Sequence, residues 1–175
     1  MQDRFGTSVG SVLAALIPFA SGILGAAVAN VPISFLGGIM PPPLFALMPV
    51  YFWCLVRPDL MPPSAAFAVG LAEDMLSGGP PGVWALSFLV CYAVVDRQRD
   101  AFAGLAGYGA VLGFAAAVLV ASAVAYTAVS LLNSRFVPTE MLMLEIGVSM
   151  LFYAPALWLM NGIQHGIIGP LRSEF

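Results

Sequence analysis

The chain contains no lysine, and all six of its basic residues are arginine. Only 9% of its 175 residues are charged, against about 25% in an ordinary soluble domain. So few charges cannot clothe a water-soluble globule. Without lysine there can be no GxxxxGK[ST] phosphate loop. The formal charge of −3 comes with no basic run, which removes nucleic acid from the expected partners. One histidine and two cysteines, Cys54 and Cys91, each alone in an apolar run, supply neither a metal-ligand cluster nor a redox spacing. His165 closes the sixth run and Ser77 the third, and these two runs cross in opposite directions, so the residues lie on opposite sides of the membrane. They cannot form a nucleophile–base pair. The paired-aspartate pattern of membrane phosphatidyl transferases is also missing. The expectation is a protein that is not an enzyme, with no cofactor and no metal.

What the chain has is hydrophobicity: 61% of its residues, with a mean hydropathy of +0.96. A membrane-spanning helix needs about 20 apolar residues. Six such runs are read, at about 10–29, 42–56, 64–78, 82–95, 101–132 and 139–164. They are separated by "VPISFLGG" with "MPPP", by "RPDLMPP", "GGPPG", "DRQRD" and "NSRFVP". Prolines and glycines stop helices at most of these breaks, and Thr139 is a plausible N-cap. The expected fold is an all-α polytopic membrane protein, a single domain of six transmembrane helices. Val12–Leu24 followed by "AVAN" resembles a cleavable leader, but the rest of the chain is equally apolar, so it is read as a retained first span.

The third run, at 15 residues, covers only about 22 Å. Either the bilayer thins around the short second, third and fourth spans, or longer neighbours shield them. The arginines set the orientation. With a cytoplasmic N-terminus, Arg4, Arg57, Arg97, Arg99 and Arg172 fall inside and only Arg135 outside, a clear positive-inside bias. Both termini are then cytoplasmic, in a multi-pass protein.

The stretch "GLAEDMLSGGPPGVWAL" at 70–86 sets two acids side by side. Residues four apart share a helix face. Ala66, Gly70, Asp74 and Gly78 therefore make a row of small residues around one carboxylate, with Ser77 beside it. Such rows allow close helix approach in membranes. Glu73 points about 100° away, so the acids do not form a catalytic dyad. By depth, Glu73, Asp74 and Glu145 share one leaflet with Arg135. Charges buried in membranes pair or face water, which makes Arg135 and Glu145 a candidate ion pair, with Glu73 or Asp74 as alternatives. A second row of small residues, Gly109, Gly113, Ala117, Ala121 and Ala125, suits packing against a helix of this chain or of another.

The same stretch resembles the signature of the MreD family of small bacterial rod-shape-determining membrane proteins, G-x-x-x-D-x-x-S/T-G-x-x-L-G-x-x-A-L. Gly70, Asp74, Ser77, Gly78, Gly82, Ala85 and Leu86 occupy matching positions, and Pro81 replaces the usual leucine. "PPPLFALMPVYFWCLVRPDLMPP" upstream is similar to the family's second span. The resemblance implies a non-enzymatic scaffold of the cell-elongation machinery in the inner (cytoplasmic) membrane. Its implied partners are MreC and, in a larger complex, RodA, its class B transpeptidase and MreB, supporting peptidoglycan synthesis. The residues expected at a partner or packing interface are Gly70, Asp74, Ser77, Gly78 and Gly82 of the motif with Glu73 as their neighbour, and Gly109 and Gly113 of the second row of small residues. The family is also similar in fold to the six-helix substrate-binding subunits of energy-coupling vitamin transporters. The alternative function is accordingly a small-molecule-binding or transporter subunit with an acidic pocket lined by Glu73, Asp74 and Glu145.

Overall fold

A computed structural model describes residues 3–31, 41–103, 108–133 and 140–168. Within them the chain forms six α-helices: α1 (Asp3–Ala29), α2 (Leu47–Val56), α3 (Pro63–Ser77), α4 (Val83–Ala103), α5 (Tyr108–Asn133) and α6 (Glu140–Ile163). A π-helical turn, Gln164–Ile168, continues α6. No strand occurs among the described residues. Arg135, Thr139 and most of "VPISFLGG" lie outside them.

The second apolar run differs most from its expected form. Helix begins only at Leu47, because Pro41, Pro42 and Pro43 lack amide donors and disfavour helix in the residues before them within the run. Ten residues span only about 15 Å, too little to cross a bilayer alone. The sequence "LMPVYFWCLV" has no polar face, and a helix apolar all round belongs inside. Leu47 to Cys54 are indeed all buried. Helix α2 is thus the axis of the fold and touches α1, α4, α5 and α6. Around it the other helices stand in an arc, α1 on α3, α3 on α4, α4 on α5, and α5 on α6. Shielding by longer neighbours is what the short second helix receives.

Side chains from the arc close on α2. Tyr51 meets Phe114 of α5 and Tyr153 of α6 edge-on, and those two rings stack with centroids 3.9 Å apart. The Tyr51 hydroxyl donates to the Ala110 carbonyl at 3.0 Å. Trp53 donates its indole N–H to Ser21 Oγ on α1, which in turn donates to the Pro18 carbonyl. The Leu44 amide, in the non-helical approach to α2, donates to the buried Ser149 hydroxyl of α6. These polar groups thereby acquire partners that offset their burial, whereas the Tyr153 hydroxyl is buried without one among the described residues.

"DRQRD" does not break the chain as expected. Helix α4 runs through it to Ala103, and α5 starts at Tyr108. Arginine and glutamine are good helix formers and no proline interrupts them, so the apolar run ends there but the helix does not. Helices α5 and α6 are long and apolar enough to cross a membrane. Large apolar side chains are exposed on α1, α3, α5 and α6, among them Leu24, Phe67, Leu119 and Leu151. That distribution suits hydrocarbon surroundings.

Between α2 and α3 the Arg57 guanidinium forks onto Asp59, Nε to Oδ1 at 3.0 Å and Nη2 to Oδ2 at 2.9 Å. This hydrogen bonding holds the Asp59 carboxyl below its usual range. A carboxyl depressed on folding contributes stability above its unfolded pKa, and the contribution disappears as pH falls through the folded value. Asp59 is 57% exposed, so screening leaves at most about 0.5 kcal/mol. Asp59→Asn is therefore expected to lower the thermal midpoint slightly at pH 7 and not at all near pH 2. A larger deficit at acid pH would refute this account.

Candidate functional site

Helix α3 stops at Gly78, whose φ of 66° places it in the left-handed region that only glycine enters freely. After Gly79, Pro80 and Pro81, Gly82 takes φ 95° and α4 begins at Val83. Like any α-helix, α4 starts with amides that have no partner in the helix. Its own sequence offers no remedy, because "GGPPGVW" contains no serine, threonine, asparagine or aspartate to act as N-cap.

The cap comes from the preceding helix. Asp74, on the last turn of α3, accepts from the Gly82 amide at 2.9 Å and the Ala85 amide at 3.1 Å through Oδ2, and from the Trp84 amide at 2.8 Å through Oδ1. The Val83 amide turns back to the Pro80 carbonyl at 3.5 Å. A carboxylate at a helix N-terminus also meets the positive end of the helix dipole. Asp74 is only 3% exposed. It is a cap supplied across a helical corner, and both of its oxygens are occupied.

One turn earlier, Gly70 lets the two helices approach. A Cβ there would lie 2.6 Å from the Trp84 carbonyl oxygen and 2.7 Å from Ala85 Cα. Ala66, a further turn back, is fully buried. The row Ala66, Gly70, Asp74 therefore faces α4 within the same chain. Ser77, Gly78 and Gly79 are exposed at the corner's rim, and Gly82 is half-buried.

Glu73 takes a different direction. Its Oε1 accepts from Asn30 Nδ2 at 2.8 Å, at the end of α1, and the same nitrogen donates to the Ala26 carbonyl. Glu73 thus ties α3 to α1 while Asp74 ties it to α4. Glu73 Oε2 is buried without a hydrogen-bond partner among the described residues. Glu145 is half-buried on α6. The expected ion pair of Glu145 with Arg135 falls outside the described residues.

The second row of small residues also faces inward. Gly109, Gly113, Ala117, Ala121 and Ala125 are all buried, and the Cys91 thiol of α4 reaches the Ala117 carbonyl at 3.6 Å. Of the alternatives for this row, packing within the chain is the one adopted. Asn30, Ser21 and Ser149 belong to no motif in the sequence. Each is an isolated polar residue in an apolar run, which was the available signal.

Between α1 and α6 the arc leaves a cleft of about 340 Å³, with Met48 and Pro49 of α2 among its lining and Leu24, Gly25, Phe152 and Ala156 on its sides. A smaller pocket of about 210 Å³ lies among the start of α4, α5 and the start of α6, lined by Trp84, Tyr126 and Glu145 with Met141 and Leu142.

The comparisons with known proteins agree with the motif at the corner. The family model described as rod shape-determining protein MreD matches residues 8–163. Neither the curated proteins nor the solved structures returned a match. With nearly the whole length matched, and Gly70, Asp74 and Gly82 joined in one corner, the chain belongs to the MreD family of rod shape-determining membrane proteins.

Proposed function

We propose that this MreD-family chain is a non-enzymatic, six-span scaffold of the cell-elongation machinery in the inner membrane, with both termini cytoplasmic. It holds MreC directly and, through the assembly, RodA, its class B transpeptidase and MreB. The observation that carries this reading is the open arc. Helix α2, the axis of the fold, is reachable from the side through an apolar cleft between α1 and α6. A cleft of this kind accepts an apolar partner helix by close packing rather than by polar recognition.

The corner residues serve assembly indirectly in this reading. Gly70, Asp74 and Glu73 lock α3 to its neighbours, and Ser77, Gly78 and Gly82 shape the exposed rim. The alternative, a small-molecule-binding or transporter subunit, needs an acidic cavity lined by Glu73, Asp74 and Glu145. Asp74 is fully engaged with α4, and Glu73 is engaged with Asn30. The interior around α2 is filled by Tyr51, Trp53, Phe88, Phe114 and Tyr153. These features favour the scaffold.

Ala156→Trp fills the cleft with an apolar ring that a membrane tolerates. Capture of MreC from solubilised membranes is expected to fall about tenfold, a loss of about 1.4 kcal/mol, with helix content retained. Met75→Trp, on the outward face of α3, is the comparison and is expected to capture normally. Loss in Met75→Trp alone moves the docking face to α3. Full capture by both variants would sink the reading.

A further inference from the structure

We propose that the pocket among α4, α5 and α6 binds the ammonium headgroup of an aminophospholipid. Glu145 supplies the counter-charge there, and Trp84 and Tyr126 supply aromatic walls.

The pocket holds about 210 Å³, below the range of about 300–1,000 Å³ typical of drug-sized ligands and far too small for a helix. Its lining is apolar and aromatic apart from one carboxylate. Indole and phenol rings attract a cation through their faces, and do so more strongly where water is excluded. An anionic group would be repelled by the Glu145 carboxylate, and a neutral donor would gain a hydrogen bond without the charge attraction. The site therefore selects a small organic cation.

Glu145 is itself half-buried, and a carboxylate sheltered from water is costly without a compensating charge.

Position decides for a lipid. Glu145 stands five residues after the first residue of α6, about 7 Å along the helix. That is the depth of a headgroup region rather than of the bilayer centre. Met141 and Leu144 beside it are 58% and 41% exposed, which leaves an apolar surface for the acyl chains of the same molecule. A basic side chain from a partner protein would have the charge but no use for that surface.

The experiment offers the full-length protein, in detergent, an equimolar mixture of phosphatidylethanolamine and phosphatidylglycerol and weighs the retained lipid by native mass spectrometry. Both lipids carry the phosphate and only one the ammonium. The wild type is expected to retain the ethanolamine lipid at least about fivefold over the other. Glu145→Gln and Tyr126→Leu are each expected to bring the ratio to within about twofold of equal, and Tyr126 takes no part in the α3–α4 corner should the first variant misfold. Equal retention by the wild type, or an unchanged preference in both variants, overturns the proposal. A wild type without preference whose Arg135→Gln variant gains one assigns the pocket to Arg135 and also overturns it.

Discussion

Asp74→Ala is expected to be the most damaging single change in the chain. It strips the Gly82, Trp84 and Ala85 amides of their acceptor at once. Alanine at an ordinary N-cap costs about 1 kcal/mol. Here the acceptor is charged, and the Ala85 amide is buried where little water can replace it, while the other two are partly buried. Bonds to charged groups contribute about 1.5–3 kcal/mol each, and a buried amide left unpaired costs about 1–3. Allowing for partial solvation at Gly82 and Trp84, the loss should reach about 3 kcal/mol. Asp74→Asn separates charge and geometry. An amide oxygen at the Oδ2 position keeps the Gly82 and Ala85 bonds and turns an N–H₂ toward the Trp84 amide, so its loss should be about half as large. Asp74→Glu carries the charge past the helix end and should not restore stability. Thermal unfolding in detergent ranks the variants. An order with Asn as damaging as Ala, or Ala close to wild type, would contradict the cap. Any loss of MreC capture in Asp74→Ala should track this loss of stability, since the carboxylate is not exposed for direct contact.

This role was only half legible in the sequence. The four-residue spacing of Ala66, Gly70 and Asp74 placed them on one face, and the 100° offset separated Glu73. Both follow from helix geometry alone, and α3 ends within a residue of the position that Gly78 dictates. The capping bonds reach eight to eleven residues ahead, across a turn. Nothing in local propensity shows where that turn delivers the next helix. The clue was negative: α4 has no capping residue of its own. The same limit explains α2. Its apolar run looked like a short span, while its burial depends on four other helices. At "DRQRD", hydropathy marked the end of an apolar run and not the end of a helix. Hydropathy follows surroundings, whereas helix continuation follows backbone chemistry.

Gly70→Ala carries the second largest expected effect and tests the corner from its packing side. The added methyl would meet backbone atoms of Trp84 and Ala85 at 2.6–2.8 Å. Backbone cannot rotate away as a side-chain tip can, so α3 and α4 must separate. Overpacking of this kind costs about 1–3 kcal/mol, and 2–3 is expected here because separation also lengthens the Asp74 bonds. Helix propensity opposes the loss, since alanine is favoured over glycine inside a helix by about 1 kcal/mol. Gly147→Ala isolates that term: a Cβ there meets nothing within 4 Å, so this variant should be neutral or slightly more stable. Gly78→Ala isolates the conformational term. It also meets nothing, but its φ of 66° should cost about 1 kcal/mol. The predicted order of stability is Gly147→Ala, then Gly78→Ala, then Gly70→Ala. Because Gly70 and Asp74 act on one contact, the double variant with Asp74→Ala should lose less than the sum of the singles. Strict additivity would mean that close approach and capping are independent, and the corner would then not be the single device the coordinates describe.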